Sequence, residues 1–513
     1  MIIVCRADHL TSTLIQIIQS VPGLADAVNI QPELPEGPWQ GIVVEHDGLY
    51  LSPDWVESRP PYLIKEPFAF NENYLIGCLC LLWGDWVRAY DLLEEDQFDI
   101  QMVWKLMNQE EIDLGPFSGA VQPMDLNDEQ ETYRWHHNQA ILRHYGRLDR
   151  EVLPGEVEEW YKRASLLAVN PDQRALSVRH HAVYLMDSQK FQQADRLLET
   201  TIRENNLSDS ASFSLRALQV RNNMNRLSVN LPEEDRLNIK EQLWEVLSWH
   251  ETHGMSVQLS LDLLDASQVA AFEKSFAESL GYINRAISIL GEEEILELQL
   301  QAFTRKADLL HQWASNGQTQ FYKPAIEAYQ AALKLISREM APYPFAEIHH
   351  QLALIYTEMP APQGKKAMLA GLAVSSFDEA LKFFTQETYP VQFAWVCHNY
   401  GAAFMKFPTA FQGNNYQRAA HFLRAALEVR TPEKFPHERC LSLLNLLEAL
   451  WNIPRDNQDP LAVSAQLREM KQLAHEAINL SPVEELRIQA QDHLEKVDQV
   501  IQTYQGVHSP QEL

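Results

Sequence analysis

Two separate positions recur through the C-terminal half of this 513-residue chain in the same steps. One is an alanine followed by a large aliphatic residue: Ala286-Ile287, Ala332-Leu333, Ala380-Leu381, Ala426-Leu427 and Ala477-Ile478, spaced 46, 48, 46 and 51. The other is Ala307, Ala353, Gly401 and Leu447, spaced 46, 48 and 46. Independent positions that keep step over several units require a repeated structural element, stacked so that each copy buries its apolar face on the next.

Around the first series the wording is A-x3-[YFL]-x2-A-[LI], as Ala325, Tyr329, Ala332; Ala373, Phe377, Ala380; and Ala419, Leu423, Ala426. Offsets of four and three place these side chains on one stripe of an α-helix. The small residues admit a neighbouring helix and the large one fills the space beside it. The second series marks a partner helix, as in Leu352-Ala353-Leu354-Ile355-Tyr356 and Tyr400-Gly401-Ala402-Ala403-Phe404. Tyr343-Pro344, Tyr389-Pro390 and Phe435-Pro436 precede three such helices, their prolines 46 and 46 apart, as expected for proline at the first helical position. Pro360, Pro408 and Pro454 are placed to stop the same helices.

These residues resemble the tetratricopeptide repeat family, in a form longer than its usual ~34 residues. The resemblance covers about residues 280–482 and departs from the family pattern at Leu447, where a small residue is expected. Fainter hairpins of the same kind are read at Tyr74–Leu93, through a Gly84-Asp85 turn, and at Ala182–Leu198. The resemblance implies a mainly α fold, an α-α superhelical solenoid of helical hairpins whose first helices line a concave groove. Carried over residue by residue, the groove positions are Glu347, His350, Leu354, Thr357 and Glu358; then Trp395, His398, Ala402, Met405 and Lys406; then Leu441, Leu444, Glu448, Trp451 and Asn452. Trp395, Met405 and Trp451 are large groups that the packing pattern does not require, and such groups anchor a partner helix or peptide. The carboxylate-clamp asparagines and lysine of the family's chaperone-binding members are not evident, which argues against an acidic C-terminal peptide as ligand. Long repeats with aromatic-proline helix starts also resemble the arrays that accompany caspase-like proteases in bacterial signalling and defence.

Residues 1–65 differ from the rest. Met1–Cys5 reads as a strand, Leu10–Val21 as a helix, and Gly41–Leu51 as two strands around Asp47-Gly48, a small α/β segment suited to capping the stack. Prolines 32, 35, 38, 53, 60, 61 and 67 punctuate it. The expected organisation is this cap, a degenerate hairpin region at 66–275, repeats at 276–482, and a closing helix and tail at 483–513. Loops are expected at Ile112–Glu129, Val229–Asp235, Thr357–Lys366 and Pro408–Tyr416, with a frayed end from Gly506.

Net charge is −28, and residues 1–150 alone hold 24 Asp and Glu against 9 Lys and Arg. Such a surface repels a phosphate backbone and favours a basic protein partner. No apolar run is long enough to span a membrane, Met1–Ser20 lacks a secretory pattern, and five cysteines form no disulfide framework, so the expected setting is the cytoplasm. No chemistry-bearing motif is found. The pairs His136-His137, His180-His181 and His349-His350 point about 100° apart on a helix and cannot share a metal. Cys78-x-Cys80 has no second ligand pair, and Cys397-His398 are neighbours on a helix that do not face each other. The expected role is a protein-binding adaptor, scaffold or regulatory subunit without cofactor. The alternative is an enzyme with its site in the N-terminal segment or at its junction with the first hairpin.

Overall fold

The computed structural model describes residues 1–507 apart from 36–38, 53, 56–59, 116–127, 205, 226–232, 294, 409–413, 455–459 and 482. Most of the expected loop at 112–129, parts of those at 229–235 and 408–416, Pro38, Pro53 and the tail from 508 lie outside the described residues. The chain forms two compact units, Met1–Val269 and Ala270–Leu513.

The first unit opens with β1 (Ile2–Cys5), α1 (Thr11–Ser20), α2 (Leu24–Ala27), β2 (Asn29–Gln31), β3 (Gly41–Val44) and β4 (Leu49–Leu51). The sheet order is β2-β1-β3-β4, with β1 parallel to both neighbours and β4 antiparallel to β3 across the Asp47-Gly48 turn. Of these four strands, sequence reading finds all but β2, whose pairing with β1 is non-local and leaves no alternating pattern in three residues. At Gly41 any β-carbon would collide with the Ile2 carbonyl oxygen of the neighbouring strand, so only glycine fits.

Helices follow: α3 (Glu72–Trp83), α4 (Trp86–Leu92), α5 (Gln97–Met107), then β5 (Glu111–Ile112), α6 (Glu129–Tyr145), β6 (Arg147–Leu148), α7 (Pro154–Leu167), α8 (Pro171–Asp187), α9 (Phe191–Ile202), α10 (Asp209–Met224), α11 (Glu233–Thr252) and α12 (Ser256–Phe272). The α3–α4 turn is made by Gly84 at φ +77° and by Asp85, whose side chain accepts the Arg88 amide hydrogen. Strands β5 and β6 form a short parallel ribbon that sequence reading misses. Ile3, Ile42, Val44 and Leu49 of the sheet share one continuous core with Leu75 and Leu79 of α3, Ile100 and Val103 of α5 and Ile141 of α6. The α/β segment is therefore packed into the helices that follow it.

The second unit contains α13 (Phe276–Glu293), α14 (Leu296–Ser315), α15 (Tyr322–Leu333), α16 (Pro342–Glu358), α17 (Gln363–Leu381), α18 (Pro390–Lys406), α19 (Asn415–Val429), α20 (Pro436–Trp451), α21 (Pro460–Leu480) and α22 (Glu484–Val507). Each helix packs on the next, and α14, α16, α18, α20 and α22 also touch in succession as one row. This is a tetratricopeptide-like stack of helical hairpins. Ala286, Ala332, Ala380, Ala426 and Ala477 are fully buried, as are Tyr329, Phe377 and Leu423 at the large position of the motif. Removing each of those large side chains from water contributes roughly 2–3 kcal/mol.

Two details correct the sequence reading. Helix α16 begins at Pro342, with Pro344 inside its first turn, where the missing amide hydrogen costs nothing. The prolines at the first helical position are thus Pro342, Pro390 and Pro436, spaced 48 and 46, in step with the alanines. The connection expected over Thr357–Lys366 is also shorter, because α16 runs to Glu358 and α17 starts at Gln363, placing Lys365 and Lys366 on a helix.

Candidate functional site

The residues assigned to a partner groove lie on the row α16–α18–α20. Helical spacing aligns Glu347, Leu354 and Glu358 on α16, Trp395, Ala402 and Lys406 on α18, and Leu441 and Glu448 on α20, with Asn452 at the C-cap of α20. Trp395 is 47% exposed, and the Arg430 guanidinium lies 5.1 Å from its ring centre. Lys406, Glu358 and Glu448 are exposed, while Glu347, Leu354, Thr357, His398 and Asn452 are half-buried. Asn452 donates to Glu448 Oε1 at 3.1 Å.

Not all of the expected set faces outward. His350 and Leu444 are buried, and Leu444 belongs to the apolar core. Met405 and Trp451, like Leu354, are half-buried and pack against that same core. These four lie beside the outward stripes, rotated toward a neighbouring helix, so packing claims them.

The histidines join the helices of the row. Asn399 Nδ2 lies 3.0 Å from His350 Nε2, linking α18 to α16. His398 Nδ1 lies 3.0 Å from Ser442 Oγ, linking α18 to α20, and Arg430 donates to the same oxygen at 2.7 Å. His311 Nε2 meets Glu358 Oε2 at 3.0 Å, linking α14 to α16. Burial holds His350 and His398 down to about 4, with the Arg430 charge adding to the effect on His398, so both are neutral hydrogen-bonding groups near pH 7. The Cys397 thiol is pushed up to about 12 by burial, and its neighbour His398 points to Ser442, so the pair has no nucleophile–base geometry. Among the described residues no cluster of three or more His, Cys, Asp or Glu is placed to hold a metal. None of the described helices is long and apolar enough to cross a membrane.

A second concavity, which sequence reading misses in its particulars, lies in the first unit. It holds about 650 Å³ between residues 51, 52, 54, 55 and 60–66 and helices α6 and α8, with Trp55, Tyr62, Trp86 and Tyr133 in its wall. Pro60–Glu66 lines it and is gripped by α6. Asn138 receives the Leu63 amide hydrogen at 2.8 Å and donates to the Leu63 carbonyl at 2.8 Å. His137 Nε2 lies 2.9 Å from the Pro61 carbonyl, which can only accept, so that nitrogen carries the proton and Nδ1 accepts from Ser177 Oγ at 2.9 Å. Asp99 of α5 receives hydrogen bonds from the Lys65 amide, the Tyr62 hydroxyl and Arg134. Burial raises the Asp99 carboxyl against the pull of the Arg134 charge. Four carboxylates of the wall are engaged: Glu131 with Arg134, Asp128 as the α6 cap, Asp172 with the Ser208 amide and Glu66 with the Leu51 amide. The sequence signal for this grip is the polar run His136-His137-Asn138-Gln139 inside a helix, three of whose members are buried.

No family model matches the sequence, and no curated protein does. Among solved structures, a signal transduction ATPase with numerous domains and a tetratricopeptide repeat sensor, from Pyrococcus horikoshii, aligns at 13% identity and TM-score 0.47. That alignment covers 72% of this chain and 56% of the archaeal one, so this chain spans little more than half of its length. The C-terminal part of a TPR repeat-containing protein from Cytophaga hutchinsonii aligns at 12% identity and TM-score 0.38, over 61% of this chain and 98% of that one. The Cut9–Hcn1 hetero-tetramer structure of APC/C aligns at 12% identity and TM-score 0.30, over 83% of this chain and 89% of the other.

Proposed function

We propose that this chain is a protein-binding adaptor, scaffold or regulatory subunit, and that a protein or peptide partner lies along α16, α18 and α20. The observation that carries this reading is Trp395, an indole left 47% exposed on a row of helices already tied together by hydrogen bonds. A rigid surface loses little freedom on binding, and an exposed aromatic on it is the usual energetic centre of an interface. Glu347, Glu358 and Glu448 on the same row, and the net charge of −28, favour a basic partner. Assignment to bacterial signalling or defence rests on the long-repeat resemblance alone.

The test is affinity capture from the native host with wild type and Trp395→Ala, quantified by mass spectrometry, with melting curves to establish that both are folded. The reading expects a small set of proteins whose recovery drops at least about tenfold with the variant, the loss typical of a truncated hot spot. An unchanged set would sink it. Trp451→Ala is a poor probe because Trp451 packs on the core, and deletion of 1–65 is a poor one because Ile3, Ile42 and Leu49 belong to the first unit's core.

A further inference from the structure

The first unit carries an apolar surface unrelated to the α16–α20 row. Helices α4 and α5 diverge around a groove of about 240 Å³ lined by Trp86, Val87, Tyr90, Ile100 and Trp104. Trp86 and Ile100 are its buried floor, whereas Val87 is 68% exposed, Trp104 39% and Tyr90 38%. Met107, one turn beyond Trp104, is exposed as well. Monomeric proteins rarely leave large apolar groups together in water without a partner for them. The groove is smaller than the roughly 300–1,000 Å³ of small-molecule sites, which suits one large side chain of a macromolecule.

The rim decides the kind of macromolecule. From Trp83 to Glu111 there are eight carboxylates and only two cations, Arg88 and Lys105. Asp91 lines the groove, and Glu94 and Glu95 follow directly on α4; all three are exposed, and none makes an ion pair among the described residues. Lys105 donates to the Glu111 carbonyl. Asp96, beside them, is held up to about 6 by burial first and then by the charges of Asp99 and Glu95, against the pull of Lys65 and Arg134.

We propose that the α4–α5 groove docks a segment of another protein that carries a large apolar anchor flanked by Lys or Arg. The anchor enters between Val87, Tyr90 and Trp104, and the flanking cations meet Asp91, Glu94 and Glu95. Burial of the anchor supplies the affinity, while the acidic rim sets partner choice and salt dependence.

The test is selection of displayed random peptides against the full chain, followed by titration of the enriched sequence, as a free synthetic peptide, into wild type, Val87→Gln and Glu94→Lys/Glu95→Lys. Those residues are exposed, so the variants keep the fold. The expected peptides pair a large apolar residue with Lys or Arg; each variant weakens binding about tenfold, and added salt weakens it in wild type. The proposal is overturned if nothing is enriched, if the enriched peptides are acidic or uncharged, or if Val87→Gln binds them equally well. It is also overturned if sedimentation shows wild type self-associating through a Val87-dependent contact, which would make a second copy the occupant. None of these outcomes depends on Trp395.

Discussion

At Gly401, α19 comes so near that a β-carbon would stand 2.7 Å from Leu423 Cγ and 3.0 Å from the Ala419 carbonyl oxygen. Alanine would gain about 1 kcal/mol of helix propensity there, but overpacking typically costs ~1–3 kcal/mol, and one obstacle is backbone that cannot turn away. Gly401→Ala is therefore expected to lower unfolding free energy by about 1 kcal/mol. Gly281 on α13 meets nothing within 4 Å, so Gly281→Ala should raise stability by about 0.5–1 kcal/mol. Urea titration of the two variants checks the contrast; a gain at 401 would show that the hairpin yields. That a small residue belongs at 401 is legible in the sequence because it keeps step with Ala307 and Ala353; that alanine is already too large there is shown only by the approach of α19. The freedom at 281 is not legible, because only the neighbouring helices reveal it.

Among the elements, α6 shows where pattern reading stops. A run of four polar residues inside a helix suggests a solvated face, yet His137, Asn138 and Gln139 are buried, and His137 and Asn138 bond to the backbone of segment 60–66. Asn138 supplies one donor and one acceptor to Leu63, the pairing a neighbouring strand would offer. Asn138→Leu keeps the branched shape and leaves the Leu63 amide hydrogen unpaired; its carbonyl keeps a 3.3 Å contact from Arg134. The expected loss is about 1–3 kcal/mol, with faster cleavage near Lys65 in limited trypsin digestion. Digestion at the wild-type rate would show that Asn138 does not hold the segment. The repeat helices were far more legible, since their buried residues are apolar and periodic.

Across the whole molecule, histidines are buried in a neutral state in both units. Burial holds His137, His181, His350 and His398 down to about 4, and holds His180 well below its usual value. The unfolded chain takes up these protons near 6.5, before the folded one does, so stability is complete above that pH and falls as pH drops from about 6.5 toward 4. Each of the four sites held near 4 contributes up to about 3 kcal/mol to the loss. Asp96, held up to about 6, binds its proton first in the folded state and offsets part of this over the same range. Denaturant midpoints at pH 7 and pH 5 should differ clearly, and His137→Gln should reduce the slope by up to one proton. A flat profile would mean that these histidines reach water.

The amino-acid order alone determined the repeat, the small-on-large seams and most of the helices, because each depends on residues three, four or one period apart in one chain. It also located the β3–β4 hairpin, a contact made across a short turn. Only the tertiary structure decided which face of each first helix is outward, why His350 and Leu444 are interior and Trp395 is not, and how residues 60–66 come to lie on α6. Those outcomes depend on pairs far apart in sequence, such as Leu63 with Asn138 and His398 with Ser442. A linear pattern does not record such pairs: the same polar residue reads alike whether water or a distant backbone amide satisfies it.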